Sequence, residues 1–319
     1  MTANQTANQT WALPQLGARR FLTDGGLETT LIFHQGIDLP LFAAIVLLER
    51  EEGRAVLDRY FETYLAIARE AGTGFVLESA TWRASRDWAA PLALGEQALA
   101  DLNRQAIVQL QALRTAHATQ DMPIVVSGCI GPRGDGYDPG LIMTVAEARA
   151  YHGWQVALFA EQGADMVTAM TMTNLPEATG VVLAAQDAGL PVAISFTLET
   201  DGRLPTGETL VDAIVAVDRA TGDGPAYYMI NCAHPSHFAG TLADGGDALQ
   251  RIRGIRANAS RRSHAELDEA ADLDAGDPEE LGEDYRRLLA ALPGLTILGG
   301  CCGTDHRHVM AIAARCAGS

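Results

Sequence analysis

The chain has 319 residues, 48% of them hydrophobic, and a formal net charge of −17; it has no lysine, so every basic side chain other than histidine is arginine. That acidity disfavours nucleic acid or an anionic membrane surface as a partner. The lack of lysine excludes an internal Schiff base, a pyridoxal-phosphate aldimine and a P-loop lysine.

Residues 1–17 read as a disordered or loosely attached tail, since residues 2–9 repeat Thr-Ala-Asn-Gln and no apolar periodicity follows. A short strand then runs into Asp24-Gly25-Gly26, and Glu28 sits in the first turn of a helix, where the dipole favours an acid. Residues 52–71 form a helix, with Leu57, Phe61, Tyr64, Leu65 and Ala68 at helical spacing. A second strand, 75–80, leads to Trp82, and a helix follows over 95–117. Strand three, 123–127, leaves through a Gly/Pro-rich loop from Gly128 to Gly136. Thr144 with Glu147 reads as a capping box opening a helix over 144–162. Strand four (165–170), a helix (175–188), strand five (191–197) and a helix (208–220) continue the alternation. Strand six (226–232), a helix (238–249), strand seven (251–257), an acidic loop (260–283) and a helix (284–292) follow. Strand eight (295–298) enters Gly299-Gly300-Cys301-Cys302-Gly303-Thr304, ahead of a last helix over 305–317.

Eight apolar strands alternating with helices mean a parallel sheet covered on its outer faces. The count points to a closed (β/α)8 TIM barrel in one domain, residues 18–319; an open doubly wound sheet is the alternative. No apolar run is long enough to span a membrane, and the polar N-terminus carries no leader pattern. Five cysteines without secretory context read as reduced thiols in a cytoplasmic protein. A small-molecule ligand is expected, with self-association left open.

In a barrel the C-terminal ends of all strands meet on one face, and active sites sit there. That face collects Asp24, Glu78, Trp82, Cys129, Met170, Thr171, Asn231, Cys232, Cys301 and Cys302. Three thiolates with one open position suit a catalytic zinc, and soft sulfur disfavours magnesium or calcium. Such a site would bind a thiol and lower its pKa. The natural reaction is attack on a methyl carbon of a sulfonium or quaternary ammonium. The plainer reading of the cysteines is buried core residues, and it suits Cys129 and Cys316. His306-Arg307-His308 resembles the His-x-His of barrel hydrolases, although i and i+2 do not share a helix face. Asp24 with the Gly25–Gly26 backbone could hold an amino acid's amine and carboxylate. Trp82 could stack on a cationic methyl donor.

Together these motifs resemble the homocysteine S-methyltransferase family over residues 18–316. The specific matches are Gly299-Gly300-Cys301-Cys302-Gly303-Thr304 and Asn231-Cys232. Asp24-Gly25-Gly26, Thr81-Trp82-Arg83-Ala84-Ser85 and Ile130-Gly131-Pro132 support them. The resemblance implies a (β/α)8 barrel, zinc on Cys232, Cys301 and Cys302, and a cationic donor such as S-methylmethionine, S-adenosylmethionine or betaine. It also implies methyl transfer to the thiolate of homocysteine, giving methionine. One position departs. After strand four the family usually has Glu-Thr, with the Glu on the substrate amine; here Met170-Thr171 stands in its place. Glu78 or Glu28 could take over, the acceptor could be another thiol, the match could be displaced by a residue or two, or the chain could bind zinc and thiol without catalysis.

Overall fold

In the computed structural model, residues 11–243, 246–270 and 272–318 are described. Eight parallel strands close on themselves in chain order. They are β1 (Phe21–Leu22), β2 (Gly74–Glu78), β3 (Ile124–Ile130), β4 (Met166–Met172), β5 (Val192–Phe196), β6 (Tyr227–Asn231), β7 (Ile252–Ala257) and β8 (Ile297–Gly300). Phe21 and Leu22 pair with β2 on one side and β8 on the other, which shuts the barrel and excludes the open sheet.

Among the described residues ten α-helices fill the connections: α1 (Leu27–Thr29), α2 (Glu51–Ala71), α3 (Glu96–His117), α4 (Val145–Glu161), α5 (Leu175–Ala188), α6 (Leu210–Thr221), α7 (Pro235–Ala243), α8 (His264–Asp268), α9 (Pro278–Ala291) and α10 (His306–Cys316). Their caps follow from the sequence. The Thr144–Glu147 capping box opens α4, and Asn174 caps α5 ahead of Pro176.

Strand alternation sorts the apolar residues into two layers. In β4, Val167 and Ala169 face the helices, while Met166 and Met170 face the barrel axis. The inner layer also holds Phe21, Val76, Val125, Tyr227, Met229 and Ile297. Above it the inward positions turn polar, and that change makes the site.

Several boundaries differ from the expected ones. Residues 1–10 lie outside the described residues. The rest of the expected tail is packed: Leu13 is buried, and Gln15 is buried beneath the barrel. The Gln15 amide reaches Tyr227 Oη at 3.5 Å and its carbonyl accepts from Thr296 Oγ1 at 2.7 Å. The body of the fold therefore starts before residue 18. Strand three runs on to Ile130, because Cys129 pairs with Thr168 and its N–H donates to Ser79 Oγ. The acidic stretch 260–283 is not all loop. Ser263 and Glu266 form a capping box on α8, and Asp277 with Pro278 starts α9 six residues early.

Candidate active site

The cavity at the C-terminal end of the barrel has a volume of about 410 Å³. Asp24, Glu28, Glu78, Trp82, Met170, Thr171, Asn231, Arg256 and the three thiols of Cys232, Cys301 and Cys302 line it.

Two irregular strand ends bring the thiols together. Cys232 follows β6 with φ 54°, a left-handed conformation uncommon for a residue with a side chain. Its N–H donates to Arg256 O at 3.2 Å, so the ladder holds the turn. Cys301 follows β8 and donates to Ala257 O at 2.8 Å. Gly303, with φ 78°, then turns the chain toward α10. The three sulfurs lie within 4.8 Å of one another. Among the described residues they are the one group of three or more His, Cys, Asp or Glu side chains close enough to hold an ion.

Polar side chains surround the sulfurs. Asn231 Nδ2 lies 3.8 Å from Cys301 Sγ, Thr171 Oγ1 lies 3.9 Å from Cys232 Sγ, and Tyr137 Oη lies 3.8 Å from Cys302 Sγ. Asn231 is itself fixed. Its Oδ1 accepts from Thr171 N–H at 2.8 Å and from Ser195 Oγ at 2.6 Å, and its Nδ2 donates to Thr171 Oγ1 at 2.8 Å. Those bonds hold Thr171 at φ 61°, where a β-branched residue is strained. Contacts from Cys232 and Cys302, then the charge of Arg256, pull the Cys301 thiol well below its ordinary pKa. The same sulfur contacts push Cys232 up.

Asp24 is placed differently from the expectation. Its Oδ1 lies 2.7 Å from Arg256 Nη2, and its Oδ2 accepts from Tyr60 Oη at 3.0 Å. Burial raises its carboxyl, against the pull of Arg256 and Tyr60. Arg256 also donates to Gly300 O and Gly25 O, which ties β7 to β8 and β1. The Gly26 N–H is used on Thr304 O at 3.0 Å, so it is not free for a carboxylate. Glycine is needed at 26 for another reason: a Cβ there would come within 2.6 Å of Cys301 O.

Glu28 stands partly open to the cavity, with its carboxyl pushed up to about 7, first by burial and then by the charges of Cys301 and Asp24. Burial likewise pushes Glu78 up to about 7, against Arg256 and the hydroxyls of Thr168 and Ser127. Trp82 lines the cavity, and the guanidinium of Arg83 lies 5.1 Å from its ring centre. Met170 lines the cavity with an apolar side chain, so no carboxylate stands at that place. Cys129 also lines it, buried and with its thiol raised by burial. Cys316 is buried in the outer layer.

The histidine pair does not form a metal site. His308 is buried: its Nδ1 accepts from Asp305 N–H in the cap of α10, and its Nε2 meets Ala275 O at 2.8 Å. His306 is exposed.

The homocysteine S-methyltransferase family profile matches residues 21–316. The chain belongs to that family. It is a methyltransferase by that membership. Among relatives, it is 25% identical to homocysteine S-methyltransferase 4 of Zea mays and 24% identical to selenocysteine Se-methyltransferase of Brassica oleracea var. italica; each match covers 92% of this chain and 88% of the relative. The metallated form of the homocysteine methyltransferase MmuM from Escherichia coli superposes with a TM-score of 0.73 at 21% identity, over 93% of this chain and 97% of that one. At that identity the superposition speaks for the fold.

For this family member, four site residues escaped the sequence reading: Tyr60, Tyr137, Arg256 and His264. Tyr137 stacks on His264, ring centres 3.9 Å apart, and His264 Nε2 lies 2.7 Å from Cys232 O. Arg256 left a signal, as one of two arginines in the short strand β7. Tyr137 and His264 left none: Tyr137 sits in an irregular connection, and His264 opens the short helix α8 inside the acidic run.

Proposed function

We propose that the protein is a zinc-dependent thiol S-methyltransferase, with homocysteine as acceptor and a sulfonium or quaternary ammonium as donor. The convergence of three thiols on one point beside the cavity carries this reading. Sulfurs sharing one tetrahedral zinc, each about 2.3 Å from it, lie roughly 3.8 Å apart, which the observed spacing accommodates. Three thiols and no oxygen donor among them suit zinc over magnesium or calcium. Zinc held by Cys232, Cys301 and Cys302 would supply a fourth position that lowers the pKa of an acceptor thiol.

The chain's own groups do the rest. Asn231 and Thr171 orient the sulfurs by donating to them. Arg256 offsets the negative charge that gathers there. The new S–CH₃ bond forms as the donor's S–CH₃ or N–CH₃ bond breaks, and the electron pair leaves on a neutral sulfide or amine. The acidic cavity favours a cationic donor, with Trp82 beside its approach. Five free cysteines fit a reducing, cytoplasmic setting. Among the described residues no helix is long and apolar enough to cross a membrane.

Met170 supports a second reading, in which another thiol or a selenol is the acceptor. The test is metal content of the reduced protein, followed by X-ray absorption at the zinc edge as homocysteine is added. About one zinc per chain that gains a fourth sulfur supports the first reading. Zinc with no new sulfur directs the search to other acceptors. No zinc in the wild type, or zinc retained after Cys301→Ala, overturns the assigned site.

A further inference from the structure

Glu78 ends β2 and closes the floor of the cavity, only 6% exposed. Its Oε1 accepts from Thr168 Oγ1 at 2.9 Å, and Thr168 is bonded in turn to Ser127 at 2.8 Å. Its other oxygen, Oε2, is buried without a hydrogen-bond partner. A buried polar atom left unpaired costs free energy. A folded protein keeps one where something else completes it.

The neighbouring charges do not complete it. Arg256 directs Nη2 at Asp24 and Gly25 O, and Nε at Gly300 O. Among the described residues Glu78 has no ion-pair partner. Asp24 already has one; Glu28 also lines the cavity without one but stands partly open, whereas Glu78 keeps an enclosed oxygen with unspent acceptor capacity. Met170 beside it is apolar and competes for nothing.

We infer that Glu78, through Oε2, binds the ammonium group of the acceptor and so selects thiols that carry an amine. The inference rests on the thiol methyltransferase reading above. An ammonium offers three N–H donors on a compact charge. One of them completes the Glu78 carboxylate, so that Arg256 answers Asp24 and the ligand answers Glu78.

The test compares L-homocysteine with 4-mercaptobutyrate, the same thiol acid without the amine, in the zinc-loaded enzyme with one sulfonium donor. Wild type should prefer homocysteine. Glu78→Gln keeps the Thr168 bond and should raise the KM for homocysteine at least about tenfold. Its kcat should stay near wild type, and the KM for 4-mercaptobutyrate should not change. A merely structural residue would shift both thiols together, and that result overturns the inference, as does no shift in either. If the variant folds poorly, the wild-type preference decides, and a lack of preference for homocysteine is a refutation. Wild type that methylates 4-mercaptobutyrate but not homocysteine overturns this inference alone. Wild type that takes up zinc but methylates neither overturns homocysteine as the acceptor, and this inference with it.

Discussion

Glu78 works against the stability of the empty barrel. Its carboxyl stands at about 7 in the fold against an ordinary 4.5. Below pH 4.5 both states hold the proton, and folding gains nothing or loses nothing from it. Between 4.5 and 7 the unfolded chain releases a proton that the folded one keeps, so stability falls as pH rises through that window. Glu78→Gln, neutral at every pH, escapes this loss. Without an acceptor present, it should match wild type near pH 4 and exceed it by about 3 kcal/mol at pH 8. Urea unfolding at the two pH values checks this. A variant less stable at pH 8 would mean that Glu78 is already charged and satisfied. The sequence marks Glu78 as an acid at a strand end. It does not show that Arg256 answers Asp24, because that pair joins β7 to β1 and exists only once the barrel has closed.

At the scale of elements, a buried pair holds the connection from β3 to α4. Glu177, in the first turn of α5, accepts from Arg133 N–H at 2.6 Å and meets His152 Nε2 at 2.9 Å. Four residues beyond Arg133, Tyr137 reaches Cys302. Glu177→Ala leaves His152 and the Arg133 N–H without their partner, at a cost of about 3 kcal/mol. It should raise the acceptor KM by loosening Tyr137, with zinc content unchanged, since no thiol is on that loop. Denaturation, metal analysis and steady-state kinetics measure the three effects. Lost zinc would show that the loop also sets the thiol geometry. Helix α5 was legible because Asn174, Pro176 and Gly189 mark its ends locally. The start of α9 was not, because an acidic run resembles a loop until Asp277 is seen to cap it.

For the whole molecule, the alternation of strands and helices was readable because each βα unit is local and eight of them favour closure. What lies under the barrel was not readable. Residues 11–17 have no periodicity, and their partners are at the N-terminal ends of β4, β6 and β8, far along the chain. Yet Leu13 and Leu16 pack on the inner layer, and Arg253 donates to Leu16 O at 3.1 Å. The segment covers the end of the barrel opposite the thiols. Removing residues 1–17 would expose that apolar layer and leave the hydroxyls of Tyr227 and Thr296 without protein partners from the plug. Burial of Leu13 and part of Leu16 is worth about 2 kcal/mol. The truncated chain should therefore unfold at lower denaturant while still binding zinc, since the thiols of Cys232, Cys301 and Cys302 and their contacts lie at the other end. An unchanged unfolding midpoint would show that the barrel closes without its plug. Loss of zinc in the cold, folded protein would show instead that the two ends are coupled through the inner layer.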